Sequence, residues 1–279
     1  MIKKIVFMIF LIFLFFFGCS SYNSTEKDSN MEKEIQKKMT LALKQQEKEN
    51  YEGAILNFEE IIKLKDTTEC RVCLGSAKLI NCDFYGAINE FEIALKNRNK
   101  LNLDFKCDSL LGIIYAYIMT DQYKKAYKTS KYLFKEIDIS TLSIDKQIDY
   151  FINIAKSEMN IGLHNEAINH FKKALSIEER GYLYVGLARA LASSGNLKDA
   201  LKSCQKAVEL EDSGRTRFGL GEIKEKIGDL RGALEEYKLA LVRKKYTSTY
   251  GMSKAQRISE KERIERKISN IQNKLKNKK

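Results

Sequence analysis

The 279-residue chain has no proline, no tryptophan and only two histidines. Without proline no helix is kinked by a missing N–H, and the turns fall to Gly, Asn and Asp. His164 and His170 stand six residues apart, about 120° around a helix, and so do not share a metal-binding face. No His-Glu-x-x-His motif and no phosphate-binding Walker loop occurs. The one glycine-rich fragment, Phe218-Gly219-Leu220-Gly221, lies inside a helical pattern. No segment shows convincing strand alternation. Catalytic residues, metal ligands and a cofactor are accordingly not expected, and the chain does not read as an enzyme.

The formal charge of +12 is unevenly placed. Residues 243–279 hold 13 Lys/Arg against 3 Glu, and Lys3 and Lys4 belong to an apolar leader, which leaves residues 19–242 neutral. A neutral body argues against nucleic acid and makes the basic tail a separate surface.

The dominant feature is a recurring block. It reads NYEGAILNFEEII at 50–62, DFYGAINEFEIAL at 83–95, LHNEAINHFKKAL at 163–175, NLKDALKSCQKAV at 196–208 and DLRGALEEYKLAL at 229–241. The anchor alanines are Ala54, Ala87, Ala167, Ala200 and Ala233, and the steps from Ala54 to Ala87, from Ala167 to Ala200 and from Ala200 to Ala233 are equal. A weaker unit around 107–140 keeps Tyr117, Tyr123 and Ala126 but has Ser130 for the aromatic. The steps from Ala87 to Ala126 and from Ala126 to Ala167, on either side of it, are both longer than the regular one. Such units bury their apolar faces only against neighbours. The blocks, with small pairs such as Leu74-Gly75, Ile154-Ala155, Leu187-Ala188 and Leu220-Gly221 upstream, resemble the tetratricopeptide repeat. The resemblance implies an all-α, right-handed superhelical solenoid over 33–244, of about five to six helix pairs. It departs from the family in lacking the proline after the second helix.

In that family the first helix of each pair lines a groove. The resemblance places Tyr115, Lys156, Tyr182, Arg189, Arg215 and Glu222 on that wall. Lys156 and Arg189 hold equivalent positions in consecutive repeats and should form a cationic step, suited to an acidic peptide or a C-terminal carboxylate. The family's chaperone-type carboxylate clamp does not match.

At the N-terminus, Lys3 and Lys4 precede an apolar run from Ile5 to Phe17, shorter than the ~20 residues of a spanning helix. Gly18-Cys19 and the polar SSYNSTEKDSN follow. This resembles the lipobox of bacterial lipoproteins, with Phe16 where that family usually has Leu. It implies a signal peptide at 1–18, lipidation (palmitate among the acyl chains) at Cys19, and a flexible tether through 32. An uncleaved N-terminal anchor is the other reading, and both place the chain in the bacterial cell envelope, held to a membrane.

Of the other cysteines, Cys204 replaces a core aromatic and reads as a small buried hydrophobe. Cys70 and Cys73 form a Cys-x-x-Cys at a helix start, where the dipole lowers thiol pKa. Cys82, about 18 Å along a helix from Cys70, is too distant to bond it, whereas a Cys107 bridge to Cys70 or Cys73 is expected. From Ser253 the pattern is helical, with Ile258, Ile264, Ile268, Ile271 and Leu275 nearly heptad-spaced. This basic C-terminal helix, within 245–279, is read as a cap on the array, as a lysine-rich surface for anionic lipid or polymer, or as a homodimer contact. The leading functional reading is a lipid-anchored, non-enzymatic scaffold that binds envelope proteins or peptides. The alternatives are an envelope thiol-redox protein using Cys70 and Cys73, and a membrane- or polymer-binding module using the tail.

Overall fold

A computed structural model describes residues 26–97, 99, 101–243 and 254–277. The signal peptide and Cys19 lie outside the described residues. Thirteen α-helices are found among the described residues: α1 (Glu26–Glu47), α2 (Tyr51–Leu64), α3 (Thr68–Ile80), α4 (Phe84–Lys96), α5 (Leu103–Met119), α6 (Tyr123–Glu136), α7 (Ile144–Asn160), α8 (His164–Ile177), α9 (Gly181–Ser193), α10 (Leu197–Leu210), α11 (Gly214–Lys226), α12 (Leu230–Val242) and α13 (Lys254–Lys276). They fall into two units divided between Thr120 and Asp121. In the first, α1 to α5 pack in chain order and α3 also meets α5; in the second, α6 to α13 do the same, and α9 meets both α7 and α11. The all-α arrangement of successive helix pairs with a terminal helix agrees with the sequence reading. α1 starts at Glu26, inside the stretch read as tether, because its polar first turns extend a helix whose buried stripe begins at Ile35 and runs through Met39, Ala42 and Leu43.

Local chemistry sets the repeat. Asn50, Asp83, Asn196 and Asp229 cap α2, α4, α10 and α12 by accepting from the backbone N–H three residues on, at 3.1, 2.9, 3.2 and 2.9 Å. Just before each pair's second helix one residue turns left-handed. It is Gly162, Gly195 or Gly228 in the later pairs, and Glu49, Cys82 or Asp121 (φ 59°, 66° and 59°) in the earlier ones. Cys82 therefore sits in a turn and not further along the Cys70 helix.

Glycines set the helix spacing. A Cβ on Gly75 would lie 2.9 Å from Phe91, on Gly112 2.5 Å from the same ring, on Gly186 2.3 Å from Phe171 and on Gly221 2.7 Å from Tyr237. The second-helix aromatic thus presses on a bare backbone in its own first helix or the next one. Ser130 fits without an aromatic because its hydroxyl donates to the Ala126 carbonyl at 2.9 Å while fully buried.

Within four of the pairs, residues twelve apart link the two helices. Asn57 donates to Gln45 (2.9 Å), Lys78 to Glu90 (3.0 Å) and Lys224 to Glu236 (2.8 Å), and His170 Nδ1 lies 2.7 Å from Glu158. Around Glu90 and Glu236 the networks repeat residue for residue: Arg71 joins Glu90 to Asp66, and Arg217 joins Glu236 to Asp212.

Candidate functional site

Along the first helices of the second unit run two columns of side chains, seven residues apart on each helix. One is Lys156, Arg189 and Glu222; the other is Asp149, Tyr182 and Arg215. Seven residues are nearly two turns, so both columns lie on one helix face. Five of the six residues expected on the groove wall are thereby brought together. Tyr115 lies in the first unit, on α5, half-buried.

The three cations are close enough to act on one another. Burial, then Arg215 and Arg189, push the Lys156 ammonium down to about 8, against the opposing pull of Asp149. Burial and Arg189 also lower Arg215, while Glu260 of α13 pulls the other way. The Arg215 guanidinium stands 4.9 Å from the centre of the Tyr182 ring, a cation–π contact. Tyr182 is core as much as wall: it is 9% exposed and packs with Ile148, Ala174 and Leu183.

Glu222 interrupts the cationic column. Its Oε2 accepts from Arg189 Nε and an Arg189 terminal nitrogen, at 2.9 and 2.7 Å, and its Oε1 accepts from Arg263 of α13 at 2.9 Å. Arg263 also stands 4.5 Å over the Phe218 ring. Asp149, Glu260 and Arg263 were not foreseen as part of the wall. Asp149 had a signal, since it stands one full repeat before Tyr182; Arg263 and Glu260 had none, because the tail has no repeat to align.

α13 caps the array. Ile264 and Ile271 are buried with Phe218, Ala233, Tyr237 and Ala240, and Ile268 and Leu275 pack beside them. Lys267 and Lys274 each donate to Glu225 at 2.9 Å. Ile264, Ile268, Ile271 and Leu275 are thus used within the chain, and three of the basic residues are engaged.

Four of the five described cysteines lie in the core. Cys70, Cys73, Cys107 and Cys204 are buried thiols and no disulfide joins Cys107 to Cys70 or Cys73. Each fills the core as a small apolar side chain. Burial pushes Cys70 up and outweighs the Thr67 hydroxyl at the helix cap, and burial beside Cys70 raises Cys73 further. Desolvation therefore overrides the dipole effect expected at this helix start. Cys204 is pushed up to about 12 by burial. Among the described residues no cluster of His, Cys, Asp and Glu suits a metal ion, and no helix is long and apolar enough to cross a membrane.

Residues 148–180 and 182–213 match the tetratricopeptide repeat family model, from within α7 to the residue before α11. No curated protein matches the chain. Among solved structures, PilW, titled a widely conserved type IV pilus biogenesis factor, is 14% identical with a TM-score of 0.62, covering 77% of this chain and 95% of its own. The pilF protein of Pseudomonas aeruginosa is 14% identical at a TM-score of 0.56, covering 79% and 96%. A thermophilic TPR protein of Thermus thermophilus is 18% identical at 0.54, covering 69% and 98%. The family model and the solved structures together support tetratricopeptide repeats in this chain, arranged in the fold of these relatives.

Proposed function

We propose that the protein is a non-enzymatic scaffold, lipid-anchored through Cys19 in a bacterial envelope, whose first-helix wall holds an acidic segment or C-terminal carboxylate of a protein partner. The observation carrying this reading is the meeting of Lys156, Arg189 and Arg215 from three consecutive first helices. Glu222 pairs with Arg189 and Asp149 pulls on Lys156, and an incoming carboxylate would add to these two in offsetting the repulsion among the three cations. Arg supplies the forked donors that carboxylates fit. Tetratricopeptide repeats generally serve protein association, and PilW, a pilus biogenesis factor, gives a precedent for an envelope assembly.

The test is crosslinking of the lipidated protein in its own cells, with the R189E/R215E variant alongside. A stoichiometric protein partner recovered with the native chain and lost with the variant is the expected result. Recovery of lipid or wall polymer alone, unchanged by the variant, sinks the reading.

A further inference from the structure

A second surface lies on α6, α7 and α8, where the interval from Ala126 to Ala167 exceeds the regular repeat. The additional residues form a fixed connection rather than a slack one. Ile137, Ile139 and Leu142 are buried at 4%, 6% and 7% exposure, and a short 3-10 turn runs over Ile139–Thr141. Asp138 caps that turn by accepting from the Ser140 N–H at 3.0 Å and its hydroxyl at 2.7 Å. The Gln147 amide donates to the Leu142 carbonyl at 2.7 Å and braces the connection against α7.

The connection walls a cavity of about 670 Å³, within the roughly 300–1,000 Å³ typical of ligand pockets. Its lining includes Phe134, Ile137 and Phe151 on the apolar side and Lys135, Gln147 and Lys173 on the polar side. Phe134 is 58% exposed although it carries a full aromatic ring.

Leading to this cavity is a one-sided helix. α6 carries five lysines and a single carboxylate, Glu136. Lys124, Lys128, Lys131 and Lys135 are all exposed. At 100° per residue they fall within an arc of roughly 60° and run about 17 Å along the helix. Ala126, Ser130 and Leu133 on the opposite side are buried. Like charges three and four residues apart repel, and the packing of α6 does not require them. The cationic row ends at Lys135, which lines the cavity, as does Lys173 of α8.

We propose that this face docks an acidic segment of a protein partner that carries one large apolar side chain: the carboxylates lie along the α6 lysines and the apolar side chain enters the cavity beside Phe134. Charge complementarity selects the segment, and the cavity fixes its register. The surface uses α6, α8, the connection and Gln147 and Phe151 of α7, and neither Arg189 nor Arg215 is in its lining. It is therefore distinct from the wall bearing Arg189 and Arg215, and its failure does not touch that reading.

The probe is a fluorescein-labelled heptapeptide of six glutamates around a central phenylalanine, titrated by anisotropy against the full chain in detergent. Controls are the same peptide with a central alanine and a version with glutamines in place of glutamates. The expected result is binding that weakens with salt, falls several-fold with the alanine peptide, and falls tenfold or more in the K131E/K135E variant. R189E/R215E should leave the phenylalanine-dependent part of the binding unchanged, since the wall would take the two acidic peptides alike. Both variants alter partly or largely solvated side chains, and circular dichroism confirms their folds. Equal binding of the glutamine peptide, indifference of the phenylalanine-dependent binding to K131E/K135E, or its loss in R189E/R215E instead overturns the proposal. So does lysine-dependent binding to phosphatidylglycerol vesicles when neither acidic peptide binds, which would make the row a lipid-facing surface.

Discussion

His170 Nδ1 lies 2.7 Å from Oε2 of Glu158, and this pair stands where Glu90 and Lys78 stand in the second repeat, with acid and base exchanged between the helices. Glu158 is 2% exposed, so its carboxyl is buried against that neighbour. Replacing Glu158 by Lys should destabilise the protein by roughly 2–4 kcal/mol. The E158K/H170E double variant recreates the Lys–Glu arrangement and should recover at least half of the loss. Urea unfolding of all four proteins measures the coupling, and a double variant no more stable than E158K would show that the site does not accept the exchanged pair.

Left-handed turn residues give a second prediction. Cys82 holds φ 66° at the position filled by Gly162, Gly195 and Gly228 in later repeats. A side chain there costs about 1–2 kcal/mol relative to glycine, partly offset by the greater unfolded-state freedom of glycine. C82G should raise the thermal midpoint by a few degrees and G195A should lower it. A fall on C82G would mean that the Cys82 side chain outweighs the backbone term.

Helix spacing is tested at Gly186. The Cβ of G186A would lie 2.3 Å from the Phe171 ring, so α8 and α9 must separate or the ring must move, at a cost of about 1–3 kcal/mol. Trimming the ring in G186A/F171L should restore part of that loss. If G186A unfolds at the same denaturant concentration as the native chain, the close approach is not a constraint.

Acid should weaken the hold on α13. Burial raises the Glu225 carboxyl, but hydrogen bonds from Lys267, Lys274 and Tyr237 outweigh it and hold it at about 2. A depressed carboxylate contributes stability that is present above its unfolded value, about 4.3, and is lost as pH falls toward 2. The native chain should therefore lose more stability between pH 5 and pH 2 than E225Q does. Parallel pH profiles for the two proteins would remove Glu225 from the cause.

Alkylation should single out one thiol. Cys82 is partly exposed, whereas Cys70, Cys73, Cys107 and Cys204 are buried, and burial raises Cys70, Cys73 and Cys204. Brief iodoacetamide treatment of the native protein, read by mass spectrometry, should label Cys82 first. Faster labelling at Cys70 or Cys73 would restore a redox role for that pair.

The repeat itself was legible because it is periodic: evenly stepped alanines reported both the helices and the face they bury. The aromatic partners Phe91, Phe171 and Tyr237 were legible too, but the glycines they touch were only half seen. Gly75 and Gly221 stood in recognisable Leu-Gly pairs, whereas Gly112 and Gly186 meet aromatics from the preceding repeat. The groove wall was read from equivalence between repeats, which found Lys156 and Arg189 and passed over Asp149. Thiol chemistry was misjudged because a helix start was weighed without its burial. The cavity by Phe134 was invisible, since it arises from a connection that breaks the period.

The four twelve-apart pairs also bear on which helices can pair during folding. The second helices share the anchor alanine and, except in α6 (Ser130) and α10 (Cys204), the aromatic, so apolar packing tells few of them apart. A first helix that closed on the wrong second helix would set Glu158 of α7 against Glu236 of α12, two buried carboxylates with no proton or cation between them. The correct partners put an amide on an amide, an ammonium on a carboxylate, or an imidazole on a carboxylate. Differences hidden inside near-identical units thus penalise the mispairing of unlike pairs, while the matching Lys78–Glu90 and Lys224–Glu236 pairs leave those two repeats to be told apart by sequence distance.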